Sequence, residues 1–218
     1  MKAAIAKGED VNSRDGKGDT ALVWAVSEGH NAIVKLLLET PGINVNKKTA
    51  LKDWTALHTA TLRGNIEAVR LLLATKFVNV NSKDGRGFTP LHVAALKNEV
   101  AIVEQILADD VEMEVEVNSE SYDGFTPLQV AAKYGAAAAL QLFLADKRVD
   151  ANHKDNLGHT ALLRAALQGH EEVVRLLLDD DKVDPNTEIA EGWTALLVIA
   201  SEPGDKHVGL VPLFMASP

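Results

Sequence analysis

The chain has 218 residues, 46% of them hydrophobic but only 5% aromatic, so any core must be built from Leu, Val, Ile and Ala. With no cysteine and a formal net charge of −9, disulfides, thiolate metal sites and cysteine nucleophiles are excluded, and broad nucleic-acid binding, which depends on neutralising phosphates, is disfavoured. No apolar run approaches the roughly 18 residues of a membrane span, and charge at Lys7 comes too early for a secretory h-region. The expectation is an intracellular and cytoplasmic monomer without nucleic-acid or membrane partners.

Residues 1–15 read as the tail of a repeat whose first helix is missing. From Thr20 onward a short phrase recurs: TALVWAV, TALHTAT, TPLHVAA, TPLQVAA, TALLRAA and TALLVIA, starting at Thr20, Thr55, Thr89, Thr126, Thr160 and Thr194. The spacings are 35, 34, 37, 34 and 34 residues. A fixed period in this range marks a stacked repeat. The units divide at 16–49, 50–83, 84–120, 121–154, 155–188 and an irregular 189–218, within a single domain over 1–218.

Each unit predicts two short helices and an arm. Thr is a good N-cap, and Pro90 and Pro127 fall where a first-turn proline is tolerated. Gly29, Gly64, Gly135 and Gly169 stop the first helix. The second helix carries apolar pairs four residues apart, such as Ile33–Val34 with Leu37–Leu38, Val173–Val174 with Leu177–Leu178, and Leu72–Leu73. Segments such as INVNKK, VNVNSKDGRG and VDANHKDNLG then form a hairpin-like arm, whose asparagines are expected to bond within their turns. In the last unit Pro203, Gly204, Gly209 and Pro212 are expected to disturb the second helix, as in a weak cap or a piece cut from a longer array, with the cut favoured. No single unit can bury its apolar face, so each must be covered by a neighbour. The predicted fold is an all-α solenoid of stacked helix-turn-helix units with short β-hairpin-like arms.

The stretches DGRGFTPLHVAALKN, DNLGHTALLRAALQGHEEVVRLLL and DGKGDTALVWAVSEGHNAIVKLLL resemble the ankyrin repeat, and the resemblance covers nearly the whole chain. Departures fall at Ala50, Ser121 and Ile189, where the leading Asp is lost and a looser turn is expected, and at Asp53, which replaces the motif glycine. The resemblance implies that His58 and His92, in the motif position, fix their turns by hydrogen bonding rather than act in catalysis. It also implies a concave partner-binding surface, formed by the arm tips and the exposed side of the first helix.

Nothing in the chain flags chemistry. His153 and His159 lack a zinc spacing, no nucleophile elbow or phosphate-cradling loop appears, and the acidic run Asp109, Asp110, Glu112, Glu114, Glu116 lacks EF-hand spacing. No cofactor and no metal are expected. The candidate partner surface comprises the residues before each Thr (Trp54, Phe88, Phe125, His159, Trp193) and those seven and eight after it (Leu62, Arg63, Leu96, Lys97, Lys133, Tyr134, Leu167). Aromatic residues before the Thr serve equally well to pack on the adjacent arm; the leucines are not obviously needed by helix packing. The functional expectation is a noncatalytic module, within a larger multidomain protein, that holds an acidic and apolar protein or peptide partner. The alternative is an enzyme using the groove, with carboxylates such as Asp19 or Glu28 beside His159 or Tyr134.

Overall fold

A computed structural model describes residues 10–108, 114–189, 192–201 and 207–216. Among these, six helix pairs follow one another: α1 (Ala21–Ser27) and α2 (Asn31–Leu38), α3 (Ala56–Leu62) and α4 (Ile66–Leu73), α5 (Pro90–Lys97) and α6 (Val100–Leu107), α7 (Pro127–Lys133) and α8 (Ala137–Ala145), α9 (Ala161–Gln168) and α10 (Glu171–Leu178), α11 (Ala195–Ser201) and α12 (Val211–Ala216). First helices pack on first helices and second on second, giving two rows along one stack. The one β-bridge among the described residues joins Arg14 to Thr20. The reading of 1–15 as a partial repeat falls outside the described residues for 1–9.

Local chemistry sets each helix start. The five threonines from Thr20 to Thr160 hold extended backbone. The hydroxyls of Thr20, Thr55, Thr126 and Thr160 accept the N–H three residues on, satisfying an orphan donor of the first turn. At the other end Gly29, Gly64, Gly135 and Gly169 lie at positive φ, as expected. The third repeat has no glycine there. Asn98 adopts φ 55° instead, and its side-chain oxygen accepts the N–H of Ala139 in the next repeat at 3.0 Å.

The core is a column. Leu37, Leu72, Ile106, Phe143 and Leu177, each seventeen residues after its Thr, are all fully buried. Their partners Leu38, Leu73 and Leu178 are only half-buried, so the second-helix pairs are asymmetric rather than jointly buried. In five repeats the second helix starts eleven residues after the Thr; in the last, α12 starts seventeen after Thr194. The expected disruption is therefore a displacement. Pro212 sits in the first turn of α12, where its missing N–H is harmless, and Leu210 and Phe214 are buried. Pro203 and Gly204 lie outside the described residues.

Two ladders join the arms. Asn46, Asn81, Asn118 and Asn152 each donate from the side-chain amide to a carbonyl of the following arm: Phe77, Glu114, Arg148 and Lys182, at 2.6–2.7 Å. Their oxygens accept N–H groups from the same arms. The asparagines thus bond across repeats and not only within their turns, because the next arm presents a donor and an acceptor side by side. At the tips, backbone bonds run from Ala50 to Gly18, Gly85 to Lys52, Tyr122 to Arg86 and Asn156 to Asp123. That approach is close: a Cβ on Gly87 would lie 2.6 Å from the Tyr122 nitrogen.

Two of the three turns that lack Asp keep the same side-chain bond. Asp15, Asp84 and Asp155 each receive the N–H of the residue before the Thr. The Ser121 hydroxyl does the same for Phe125, and Thr49 does it for Trp54. Ile189 keeps the backbone bond to Trp193. In the Thr49 turn Asp53 is held at φ 54°, where a side chain is disfavoured and glycine is not. Asp53→Gly is accordingly expected to raise the denaturation midpoint, by roughly 1 kcal/mol of stability at most. A lower midpoint would show that the Asp53 side chain contributes more than its backbone strain removes.

Candidate interaction surface

The residues chosen from sequence stand just before the capping threonines and at the C-terminal ends of the first-row helices, and they differ in what they expose. Phe88 and Phe125 are 8% and 7% exposed. The Arg86 guanidinium covers Phe88 at 4.4 Å, and Lys133 and Arg164 flank Phe125 at 4.7 Å each. A partner reaching these positions meets the cations, not the rings. Two further corrections concern Leu96 and Leu167: both are half-buried against the core, so helix packing does use them.

Trp54 remains partly accessible but is fixed. Its indole N–H donates to Asp84 Oδ2 at 3.1 Å, and the Lys52 ammonium lies 4.5 Å from the ring centroid. Asp84 itself is buried, and its Oδ1 accepts the N–H groups of Arg86 and Phe88. Trp193 and Tyr134 are 41% and 52% exposed. Leu62 is half-buried, Arg63 reaches Ser27 Oγ at 3.0 Å, and Lys97 is exposed. His159 is half-buried with Nδ1 unpartnered, and burial followed by nearby Arg164 lowers its pKa. Its backbone N–H donates to Asp155, but no carboxylate is hydrogen-bonded to ring Nδ1.

Sequence reasoning placed the arm tips in the surface but named none of their exposed apolar residues. Leu51, Tyr122 and Leu157 are 85%, 66% and 67% exposed, in the turns of the second, fourth and fifth repeats. The available signal was an apolar residue inside a turn too tight to bury it. Trp24, half exposed, was also missed.

The motif histidines act between repeats. The Thr55 N–H donates to His58 Nδ1 at 3.2 Å, so the ring proton is on Nε2, which donates to the Phe88 carbonyl at 2.9 Å. His92 repeats this with Thr89 and the Phe125 carbonyl at 2.8 Å. Burial lowers the pKa of both, that of His92 to about 4. Gln129 takes the same place in the fourth repeat, accepting from Thr126 N–H and donating to the His159 carbonyl at 2.8 Å. His170 Nε2 also lies within hydrogen-bond distance of the Lys133 carbonyl in the preceding repeat, and His153 Nε2 of the Gly124 carbonyl within its own. Among the described residues no three His, Asp or Glu side chains are grouped to hold a metal ion, and no helix is long and apolar enough to cross a membrane. Asp109, Asp110 and Glu112 lie outside the described residues; Glu114 and Glu116 are solvent-exposed.

Charge is distributed unevenly along the stack. Residues 41–99 hold nine Lys and Arg against four Asp and Glu, whereas residues 100–218 hold eight against twenty-one. The basic part is therefore the second repeat with the arm before it and the first helix of the third, and Lys133 stands within an acidic half.

These features define an α-solenoid of paired helices joined by arms. The chain belongs to the ankyrin-repeat family: the family model described as ankyrin repeats (3 copies) matches overlapping windows 1–84, 42–119, 76–155, 110–189 and 128–215. Comparison with curated proteins gives no match. Among solved structures, the ankyrin repeat domain of Bcl-3, described as a unique member of the IkappaB protein family, is similar with TM-score 0.83 and 22% identity, over 99% of this chain and 90% of that one. The ankyrin repeat protein EF0377 is similar with TM-score 0.78 and 20% identity, over 91% and 98%. At these identities the likeness concerns the fold.

Proposed function

We propose that this chain is a noncatalytic interaction module that holds an acidic and apolar protein or peptide partner in the groove between arm tips and first-row helices. The observation that carries this reading is the set of groups the stack leaves partly or fully exposed: Trp54, Leu62, Tyr134 and Trp193, with Arg63, Lys97 and Lys133. Aromatic and cationic groups on a rigid concave scaffold are what protein interfaces use as anchors. The motif histidines His58 and His92 are already engaged in holding repeats together, which weighs against the enzymatic alternative.

The test uses a partner recovered by affinity capture on the intact chain, followed by titration against variants. Arg63→Glu with Lys97→Glu is expected to weaken binding at least tenfold, about 1.4 kcal/mol, and mostly through slower association. Glu104→Lys, on exposed second-row surface, is expected to leave affinity unchanged. Equal binding by the groove variant and the parent would remove the concave face as the site.

A further inference from the structure

The tips of the second and third arms enclose an open concavity of about 560 Å³, within the size range of small-ligand sites. Trp54 and Leu62 form its apolar floor, Leu51 its outer wall, and Lys52 and Arg86 its rim. Four features make this more than a gap between arms.

First, the floor is preorganised, because the Trp54 indole is held by its bond to Asp84. Second, the two tips are tied by the Gly85 to Lys52 backbone bond, so the rim is a unit. Third, the Asp84 carboxylate is spent inside: it is buried, it receives two backbone N–H groups and the indole, and Arg86 lies 3.6 Å away. Two cations, Lys52 and Arg86, line the concavity, with the exposed Asp53 carboxylate beside Gly85 as a solvent-facing acid next to them. Fourth, Leu51, at 85% exposed, is an apolar side chain with no cover in the free chain.

The spacing narrows the ligand further. Lys17, Lys52 and Arg86 occupy the same tip position in three successive repeats and are all exposed. Packed repeats advance by about 10 Å. A chain in the polyproline II conformation rises about 3.1 Å per residue and returns to one face every third residue, so its residues i and i+3 lie about 9 Å apart on one side. Carboxylates three residues apart therefore match successive tip cations, and a bulky apolar residue between them reaches the Trp54–Leu62 floor.

We infer that the second and third arm tips are the primary anchor for an extended acidic peptide, with carboxylates at every third residue and a large apolar side chain between them. This rests on the concave-face reading and specifies where on that face the partner is gripped. The acidic half after residue 100 repels such a peptide and so fixes its position along the stack.

The probe is the synthetic peptide acetyl-Gly-Glu-Leu-Pro-Glu-Leu-Pro-Glu-Gly-amide, titrated into the isotope-labelled full chain and followed by amide and indole NMR shifts. Saturable shifts are expected at Leu51, Lys52, Trp54, Leu62, Gly85 and Arg86, including the Trp54 indole. Lys52→Gln with Arg86→Gln, chosen to avoid a new charge beside Asp84, should weaken binding at least tenfold. A Leu-to-Ser peptide, or one of the same composition with its glutamates clustered, should also bind at least tenfold more weakly. Shifts centred instead on Lys97 and Lys133 would overturn this anchor while leaving the concave-face reading in place. Shifts on the second-row helices α4 and α6 would overturn both. No saturable shift at millimolar peptide, or equal binding of the clustered peptide, would refute the acidic, three-residue match itself.

Discussion

Leu72→Ala is expected to lower stability by about 2–5 kcal/mol, the usual effect of emptying a fully buried leucine site. Leu72 has no exposed surface and is the second member of the buried column that runs from Leu37 to Leu177. Its helix α4 packs on α2 to one side and α6 to the other. In a solenoid each repeat contacts only its neighbours, so this single cavity weakens two interfaces that no distant contact can replace. Against a typical total of about 5–15 kcal/mol, the loss is a large fraction. Glu28→Ala removes an exposed side chain beyond α1 and is expected to shift stability by less than about 0.5 kcal/mol. Urea denaturation followed by circular dichroism measures both. Equal shifts from the two substitutions would refute the assignment of the second-row column, and hydrogen exchange should find the loss of protection in Leu72→Ala centred on the second repeat and its two neighbours.

Much of this architecture is legible in the chain because each repeat obeys the same local rules. The threonine caps, the turn glycines and the second-helix apolar residues act within a few residues of themselves, so their spacing alone places the helices. What the sequence hides is whatever a neighbouring repeat supplies. Phe88 looks like an exposed anchor until the next repeat is in place and Arg86 lies over it. Asn46 looks like a turn residue until the following arm offers it a carbonyl. Ala50 looks like a lost turn because the substitute acceptor, Thr49, stands one position earlier. In the last unit six additional residues separate Thr194 from its second helix, and periodicity gives no register for where that helix resumes. The candidate surface follows the same division. The positions along the groove were readable from the period, but the exposed tips Leu51, Tyr122 and Leu157 and the sharing of Asp84 between Trp54 and Arg86 depend on contacts between repeats.

Acidification should weaken this solenoid through its motif histidines, and replacing them with glutamine should protect it. His92 is neutral in the fold, with Nδ1 accepting from Thr89 and Nε2 donating to Phe125. Protonation would put a second proton on Nδ1, break the bond from the Thr89 N–H and leave a charge in a buried site. Burial accordingly lowers its pKa from 6.5 to about 4. Because the folded value lies below the unfolded one, the unfolded chain binds more protons between these two pH values. The stabilisation is therefore complete above about pH 6.5, falls as pH drops through the window, and is lost near pH 4, at about 1.4 kcal/mol per pH unit. His58 is shifted in the same direction by the same cause, so the two add to one acid transition. The fourth repeat shows the remedy, since Gln129 makes the corresponding cap and cross-repeat bonds with a side chain that does not titrate. The double variant His58→Gln with His92→Gln is expected to match the parent within about 1 kcal/mol at pH 7.5, with the conserved bond pattern limiting the loss. At pH 5 it should be the more stable protein, by about 2 kcal/mol or more. Urea midpoints measured across pH 4.5 to 8 decide the matter: parallel pH profiles for parent and variant would show that acid sensitivity arises elsewhere, in the carboxylates of the arms rather than in the buried rings.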